Sequence, residues 1–213
     1  LELALIKKGR LKKFTSLRIG VVRFLRYYQK NKNDCLKKIR EAINSIDWLK
    51  NNNQNNLYAI GGSFRCLAKV DIWTKNYPLS IIQGYTINDR EIKNLIEVSS
   101  KIKSKNIKKI DDIENERIKT IPVASLILKE LANKILPKKM VFCSQGLREG
   151  FLFSLLDDET KEEDPLTFTT KRMSMNFNNS FFDGKLIFNW LNPIFKNEND
   201  NFKRLRLAAS YLA

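Results

Sequence analysis

A short apolar strand that runs straight into a small-residue turn, and from there into a helix with an early arginine, constrains this chain more than any other feature. It occurs twice, as Tyr58-Ala59-Ile60-Gly61-Gly62-Ser63-Phe64-Arg65 and as Val141-Phe142-Cys143-Ser144-Gln145-Gly146-Leu147-Arg148. A strand that feeds a helix so directly fits neither a helical bundle nor a β-sandwich; it needs a sheet with helices laid over it. Glycine supplies the sharp turn and lets a ligand approach the backbone with no Cβ in the way. The first amides of the next helix, together with its dipole, then favour an anion. Ser63 adds a hydroxyl donor, and Arg65 and Arg148 offer charge-assisted contacts to phosphate oxygens. Taken singly, each turn also reads as an ordinary tight turn with a helix cap, because the glycine offsets match neither the Walker loop nor the dinucleotide fingerprint.

The rest of the chain is arranged around these two units. Leu1-Glu2-Leu3-Ala4-Leu5-Ile6 alternates, Lys7-Lys8-Gly9-Arg10 turns, and Leu11 to Ile19 is a second extended run, so a β-hairpin is predicted. Asp34 is the expected N-cap of a helix with the apolar stripe Leu36, Ile39, Ile43 and Ile46. The asparagine-rich stretch from Lys50 to Asn56 ends that helix as a surface loop. Leu57 to Ile60 is the first apolar strand, and its helix runs from Phe64 until Tyr77-Pro78. Ile81 to Ile87 reads as extended. Helices are expected around Asp89 to Lys103 and Asp111 to Glu116. Another starts at Thr120 and Pro122, with Val123, Ile127, Leu131 and Ile135 on one side. Pro137 closes it, Lys139 to Cys143 is the second apolar strand, and Leu147 to Leu156 is its helix. Beyond the acidic stretch Asp157 to Asp164, only helices are expected: Asp164 to Phe177, Lys185 to Phe195 and Asn201 to Ala213. There is no internal repeat.

The chain has no histidine, which excludes imidazole bases, Ser-His-Asp triads and histidine-held metals from it. Cys35, Cys66 and Cys143 form no CxxC pair and read as buried thiols. No apolar run approaches the roughly 20 residues that cross a bilayer, and Leu1 to Ile6 is too short for a secretory signal. A cytoplasmic protein with no membrane partner is therefore expected. The net charge of +16 favours polyanions. A solvated, lysine-rich surface with no special partner describes it equally well. Lys101, Lys103, Lys105, Lys108 and Lys109, interleaved with Ile102, Ile107 and Ile110, read as the wet face of a helix or linker. Basic residues are not grouped with stacking aromatics as nucleic-acid modules require, so nucleic acid is not the expected partner.

Four segments, in order, resemble the exopolyphosphatase and guanosine pentaphosphate phosphohydrolase family. They are Ile60-Gly61-Gly62-Ser63-Phe64-Arg65-Cys66-Leu67-Ala68-Lys69, Gln83-Gly84-Tyr85, Arg117-Ile118-Lys119-Thr120-Ile121-Pro122-Val123-Ala124 and Ser144-Gln145-Gly146-Leu147-Arg148-Glu149-Gly150. The resemblance implies an actin-like, ribonuclease H-like α/β lobe over 1–156, with a mixed sheet and flanking helices. A linker at 157–164 follows, and then, over 165–213, the truncated start of an all-α, HD-like region. Asp164-Pro165-Leu166 and Arg204-Leu205-Arg206-Leu207-Ala208-Ala209 resemble that helical region.

The implied activity is release of terminal orthophosphate from polyphosphate or guanosine pentaphosphate by a Mg²⁺-assisted water, in enzymes that are often homodimers. Gly61, Gly62 and Ser63 match the family's second-lobe phosphate turn, and Arg117 matches an arginine near the cleft. Leu1-Glu2-Leu3 resembles the strand after the family's Asp-x-Gly-Gly-Gly-Ser loop. That makes Glu2 the counterpart of a carboxylate implicated in metal binding or water activation; equally, a lone acid at that place is merely exposed. Arg148-Glu149 either lines the site or makes a structural pair at a helix start.

The departures from the family are specific. This chain lacks the Asp-x-Gly-Gly-Gly-Ser loop and the first lobe with the family's catalytic glutamate, and the helical region lacks that region's own His and Asp residues. Gln83-Gly84 stands where the family often has His-Gly. The expectation is part of a phosphohydrolase, holding phosphate from one side. Two alternatives remain: a basic α/β domain that binds polyanions without catalysis, and another actin-like phosphotransferase or ATPase, which would need an adenosine pocket.

Overall fold

The computed structural model describes residues 1–49, 56–101, 110, 113–177 and 183–213. Most of the asparagine-rich loop, and Lys103, Lys105, Lys108 and Lys109 of the basic run, lie outside the described residues. The chain divides into two compact units, Leu1–Glu149 and Gly150–Ala213.

In the first unit, β1 (Glu2–Lys7) and β2 (Arg10–Ser16) pair antiparallel as the expected hairpin. Lys8 and Gly9 at its tip have φ of 49° and 71°, the two positive values that a type I′ turn requires. Two helices follow, α1 (Val21–Lys30) and α2 (Lys32–Asn44), and they pack on one another. Sequence reading assigns no element to α1. Its stripe of Val21, Phe24, Leu25 and Tyr28 has helical spacing but lies among Arg23, Arg26 and Lys30. The N-cap of α2 is Asn31, whose side chain accepts from the Asn33 and Asp34 amides at 2.9 and 3.3 Å. Asp34, the expected cap, sits inside the first turn instead.

A three-stranded sheet has the order β3 (Asn56–Ile60), β5 (Lys139–Cys143), β4 (Thr86–Asn88). β3 is parallel to β5 and β4 is antiparallel to it. The extended run expected from Ile81 is regular only from Thr86, although Gly84 and Tyr85 still exchange backbone bonds with Phe142 at 2.9 and 2.8 Å. Helices α3 (Gly62–Thr74), α4 (Asp89–Lys101), α5 (Asn115–Ile118) and α6 (Ile121–Ile135) complete this unit. Asp111 and Asp112, the expected start of α5, lie outside the described residues.

α6 is the hub, because it is apolar on two sides and each side faces a different core. Ile121, Ala124 and Leu128 join β3, β4, β5, α3 and α4 in one cluster. Val123, Leu126, Ile127, Leu131 and Ile135 join α1 and α2 in the other. The stripe read from the sequence was only this second side. α6 ends where Leu136 takes a left-handed φ of 51°, directly before Pro137. Its one buried carboxylate, Glu130, is gripped by Arg40 of α2 through two hydrogen bonds at 2.9 and 3.2 Å.

Ser99 of α4 is fully buried, and its hydroxyl finds no hydrogen-bond partner among the described residues. A buried hydroxyl without a partner costs about 1–3 kcal/mol, so Ser99→Ala is expected to raise the stability of the first unit by roughly 1 kcal/mol. Urea denaturation of the two proteins checks this.

The second unit is helical, and the division falls inside α7 (Leu147–Ser154). The acidic stretch expected as a plain linker contains a short helix, α8 (Asp158–Glu162), capped by Asp157 accepting from the Thr160 amide at 2.7 Å. α9 (Pro165–Phe177), α10 (Gly184–Leu191) and α11 (Asp200–Ser210) follow. Gly184 is required by packing: a Cβ there would lie 2.7 Å from the Tyr211 Cα. Arg206 is the polar centre of this unit. It bonds Glu198, Asn192 and the Phe188 carbonyl, and it stacks over the Phe188 and Phe195 rings at 3.8 and 5.1 Å. Arg204 forks onto Asp164 at 2.8 and 2.6 Å, and that bond holds the Asp164 carboxyl down at about 2.

Candidate anion-binding site

β3 ends at Ile60, and the chain turns through Gly61 at φ 108° and ψ 162°, a conformation open in practice only to glycine. The helix therefore starts at once. Gly62 and Ser63 are its first residues, two positions earlier than expected, and the Arg65 amide closes the first turn on the Gly61 carbonyl at 3.0 Å. The leading amides of a helix have no partner within it. Here no side chain among the described residues caps them, and Gly61, Gly62, Ser63 and Phe64 are all partly exposed.

Arg117 comes to this turn from α5. A Cβ built on Gly62 would lie 1.8 Å from Arg117 Nη1 and 2.9 Å from its Cζ, so the guanidinium rests directly against the Gly62 backbone. Glu114 orients it, accepting from Arg117 Nε at 2.9 Å. Sequence reading missed Glu114, although an acid three residues before an arginine is a local signal for such a pair. Other cations gather here. Burial pushes the Cys66 thiol up, against the pull of Arg117, Lys69 and Arg65. A helix start, an arginine laid over its glycine and neighbouring positive charge are together the chemistry that could hold an oxyanion.

The second turn is built differently. Arg65 donates to the Ser144 carbonyl at 2.8 Å, which ties the two turns together. Gln83 Oε1 accepts from both the Ser144 amide and hydroxyl, at 2.9 and 3.0 Å. The Gly146 amide donates to Glu149 at 2.6 Å. That bond, and then its own amide, hold the Glu149 carboxyl below the usual range. A carboxylate thus already sits at this helix start. Arg148 next to it is exposed. The Gln83-Gly84-Tyr85 segment is anchored from below by a buried group that sequence reading also missed. Asp71, on α3, accepts from the Tyr85 hydroxyl and from Lys75, both at 2.7 Å, and Lys75 also reaches Glu91 at 2.9 Å.

Glu2 is exposed at the first position of β1, opposite Ser16. Among the described residues nothing joins it to Gly61, Gly62 or Ser63, and no three potential ligands from His, Cys, Asp and Glu gather as a metal site. Arg65 and Arg117 are thus predicted cations found at the first turn, and no contact among the described residues joins Arg148 or Glu2 to it.

The model of the Ppx/GppA phosphatase family matches residues 1–159. A Ppx/GppA phosphatase structure from Aquifex aeolicus is similar with a TM-score of 0.58 at 21% identity, over 76% of this chain and 54% of that one. An exopolyphosphatase structure from Cytophaga hutchinsonii has a TM-score of 0.53 at 16% identity, over 72% and 53%. Retrograde regulation protein 2 of Saccharomyces cerevisiae is 28% identical over 145 residues, which is 65% of this chain and 25% of that protein. The chain spans about half the length of these structures and a quarter of the yeast protein.

Proposed function

This chain belongs to the Ppx/GppA phosphatase family, and from that membership we propose that it forms one side of a site that hydrolyses a phosphate anhydride. The Arg117 guanidinium lying against Gly62, at the uncapped start of α3, carries the reading. The amides of Gly62 and Ser63 take oxygens of the terminal phosphoryl group, and Arg117 neutralises the charge that grows on them as the anhydride breaks. Arg65 holds the Ser144 turn at the rim. The substrate is the terminal phosphate of inorganic polyphosphate or of guanosine pentaphosphate.

The Mg²⁺ that the resemblance implies is not provided for by the described residues. Mg²⁺ takes octahedral oxygen ligands, and Glu2 is a single exposed carboxylate. Glu2 is at most one ligand among others brought from elsewhere. Phosphoryl transfer needs charges on both sides of the transferring group, so the chain alone is expected to bind phosphate weakly and to release little.

The test has two parts. Tripolyphosphate is titrated calorimetrically into the chain, and orthophosphate release from polyphosphate and guanosine pentaphosphate is measured after joining the chain to a family first lobe with Mg²⁺. Release no greater than from that lobe alone would sink the enzymatic reading. A second reading, anion binding in a regulatory role without turnover, takes support from the likeness to a protein named for retrograde regulation. Tripolyphosphate binding combined with no release in the joined protein selects it.

A further inference from the structure

The two turns leave the sheet side by side. β3 and β5 are parallel with Ile60 opposite Cys143, so Gly61 and Ser144 emerge at the same carboxyl edge. β4 runs antiparallel to β5 with Thr86 opposite Val141, which brings the residues just before β4 to that edge as well. Gly61, Ser144 and Gln83 therefore stand in a row across the strand order β3-β5-β4. Neighbouring strands are about 4.8 Å apart. Ligands of open α/β sheets settle outside such carboxyl ends.

Chemistry alone orients the Gln83 amide. A backbone N–H only donates, so the atom that meets the Ser144 amide at 2.9 Å is the side-chain oxygen. The Ser144 hydroxyl donates to the same oxygen at 3.0 Å. The NH2 group on the other arm of the carboxamide has no partner among the described residues, and the side chain is exposed. Two fixed donors thus stand open beside Ser144. The backbone under them is held firmly. The Gly84 amide donates to the Phe142 carbonyl at 2.9 Å, the Phe142 amide to the Tyr85 carbonyl at 2.8 Å, and the Tyr85 hydroxyl to the buried Asp71 at 2.7 Å. Donors fixed before a ligand arrives lose little freedom on binding it.

The surroundings favour an anion. Arg65 spends one N–H on the Ser144 carbonyl at 2.8 Å, and a guanidinium has five. The Gly146 amide is already taken by the Glu149 carboxylate at 2.6 Å, so that amide at the start of α7 is closed to a second anion. Arg148 and Arg65 offset the charge of Glu149. What remains for a ligand at this end of the row is the rest of the Arg65 guanidinium and the Gln83 NH2.

On the reading that the first turn holds a terminal phosphoryl group, we propose that the Gln83 side-chain amide is a further binding residue. It donates to a phosphoryl group behind the terminal one, and so gives the site a preference for a phosphate chain over orthophosphate. Orthophosphate fills the first turn and ends there, whereas a chain continues past Arg65 to Gln83.

The experiment is titration of the whole chain with orthophosphate and with tripolyphosphate, followed by phosphorus NMR at constant ionic strength. It compares the unaltered protein with Gln83→Met and Gln83→Glu. The methionine removes the donor without adding a charge. The glutamate keeps an oxygen for the Ser144 amide and hydroxyl, so the turn stays held while the donor is lost. Gln83 is exposed, and neither change touches the core. Both variants are expected to bind tripolyphosphate about tenfold more weakly and orthophosphate within about twofold of the unaltered chain, the mark of one lost hydrogen bond to a charged group. Any other pattern overturns the proposal. Equal loss of both ligands in Gln83→Met makes the residue a brace for the Ser144 turn, and loss in Gln83→Glu alone is charge repulsion. If the unaltered chain binds tripolyphosphate and both variants bind it as well, Gln83 alone leaves the site. If the unaltered chain binds neither ligand, the reading of the first turn falls with it.

Discussion

Gly62→Val is expected to weaken tripolyphosphate binding on the order of 10- to 100-fold while leaving the helical circular dichroism of the chain unchanged, the size of one lost charge-assisted contact. The cause is steric and specific. Gly62 does not need glycine for its backbone, since its φ is not in the left-handed region, unlike that of Gly61. What it needs is the empty volume over its Cα, where the nearest atom to a Cβ would be Arg117 Nη1 at 1.8 Å. A valine expels the guanidinium from the helix start and covers the leading amides with a branched side chain. Among the described residues Arg117 is tethered through Glu114, itself largely exposed, so it swings into solvent at little cost to folding. Calorimetry on Gly62→Val, Arg117→Ala and the double variant separates the two contributions. If displacing Arg117 is the main loss, the double variant is scarcely weaker than either single one. Wild-type affinity in Gly62→Val would remove the turn from the site altogether.

The second large effect concerns the hub helix. Arg40→Met is expected to destabilise the first unit by about 3 kcal/mol, because it strands the Glu130 carboxylate in a place only 5% exposed. Arg40 itself is half exposed, so most of the loss comes from the carboxylate left behind and little from the missing charge. Replacing both, as Arg40→Met with Glu130→Leu, is expected to recover most of the deficit, since an apolar pair of similar size needs no hydrogen bonds at the junction of α2 and α6. Urea midpoints of the three proteins at constant m-value decide it. A double variant as unstable as the single one would mean that the pair holds the two helices in register, beyond satisfying its own charge.

Local readings of the sequence succeeded where neighbouring residues settle the matter. The hairpin follows from its alternation and from Gly9. The strand, glycine turn and helix at Tyr58 to Arg65 follow from the order of residue types, as does Pro137 as a stop after α6. α3 starts two residues before Phe64, where the sequence predicts it, because a helix can begin on glycines when Gly61 alone makes the turn. The cap of α2 is Asn31 and not Asp34, because both are competent caps and which of them bonds depends on where α1 ends. The sequence does not announce α1, because its apolar stripe is interrupted by arginines that only the fold shows to be on the wet side.

What no local pattern contained is who meets whom. Arg117 was singled out by resemblance, but its rest on Gly62 and its hold by Glu114 appear only in three dimensions. The same is true of Gln83 gripping the Ser144 turn, of Asp71 under Tyr85, and of Arg40 on Glu130. Residue types in order determine backbone conformation, because φ, ψ and capping act over a few neighbours. Contacts between residues far apart in the chain are decided by packing two cores against one helix, α6. So the chain by itself specified its turns, strands and most helices, and the closure of those helices around α6 decided which charges face which amides.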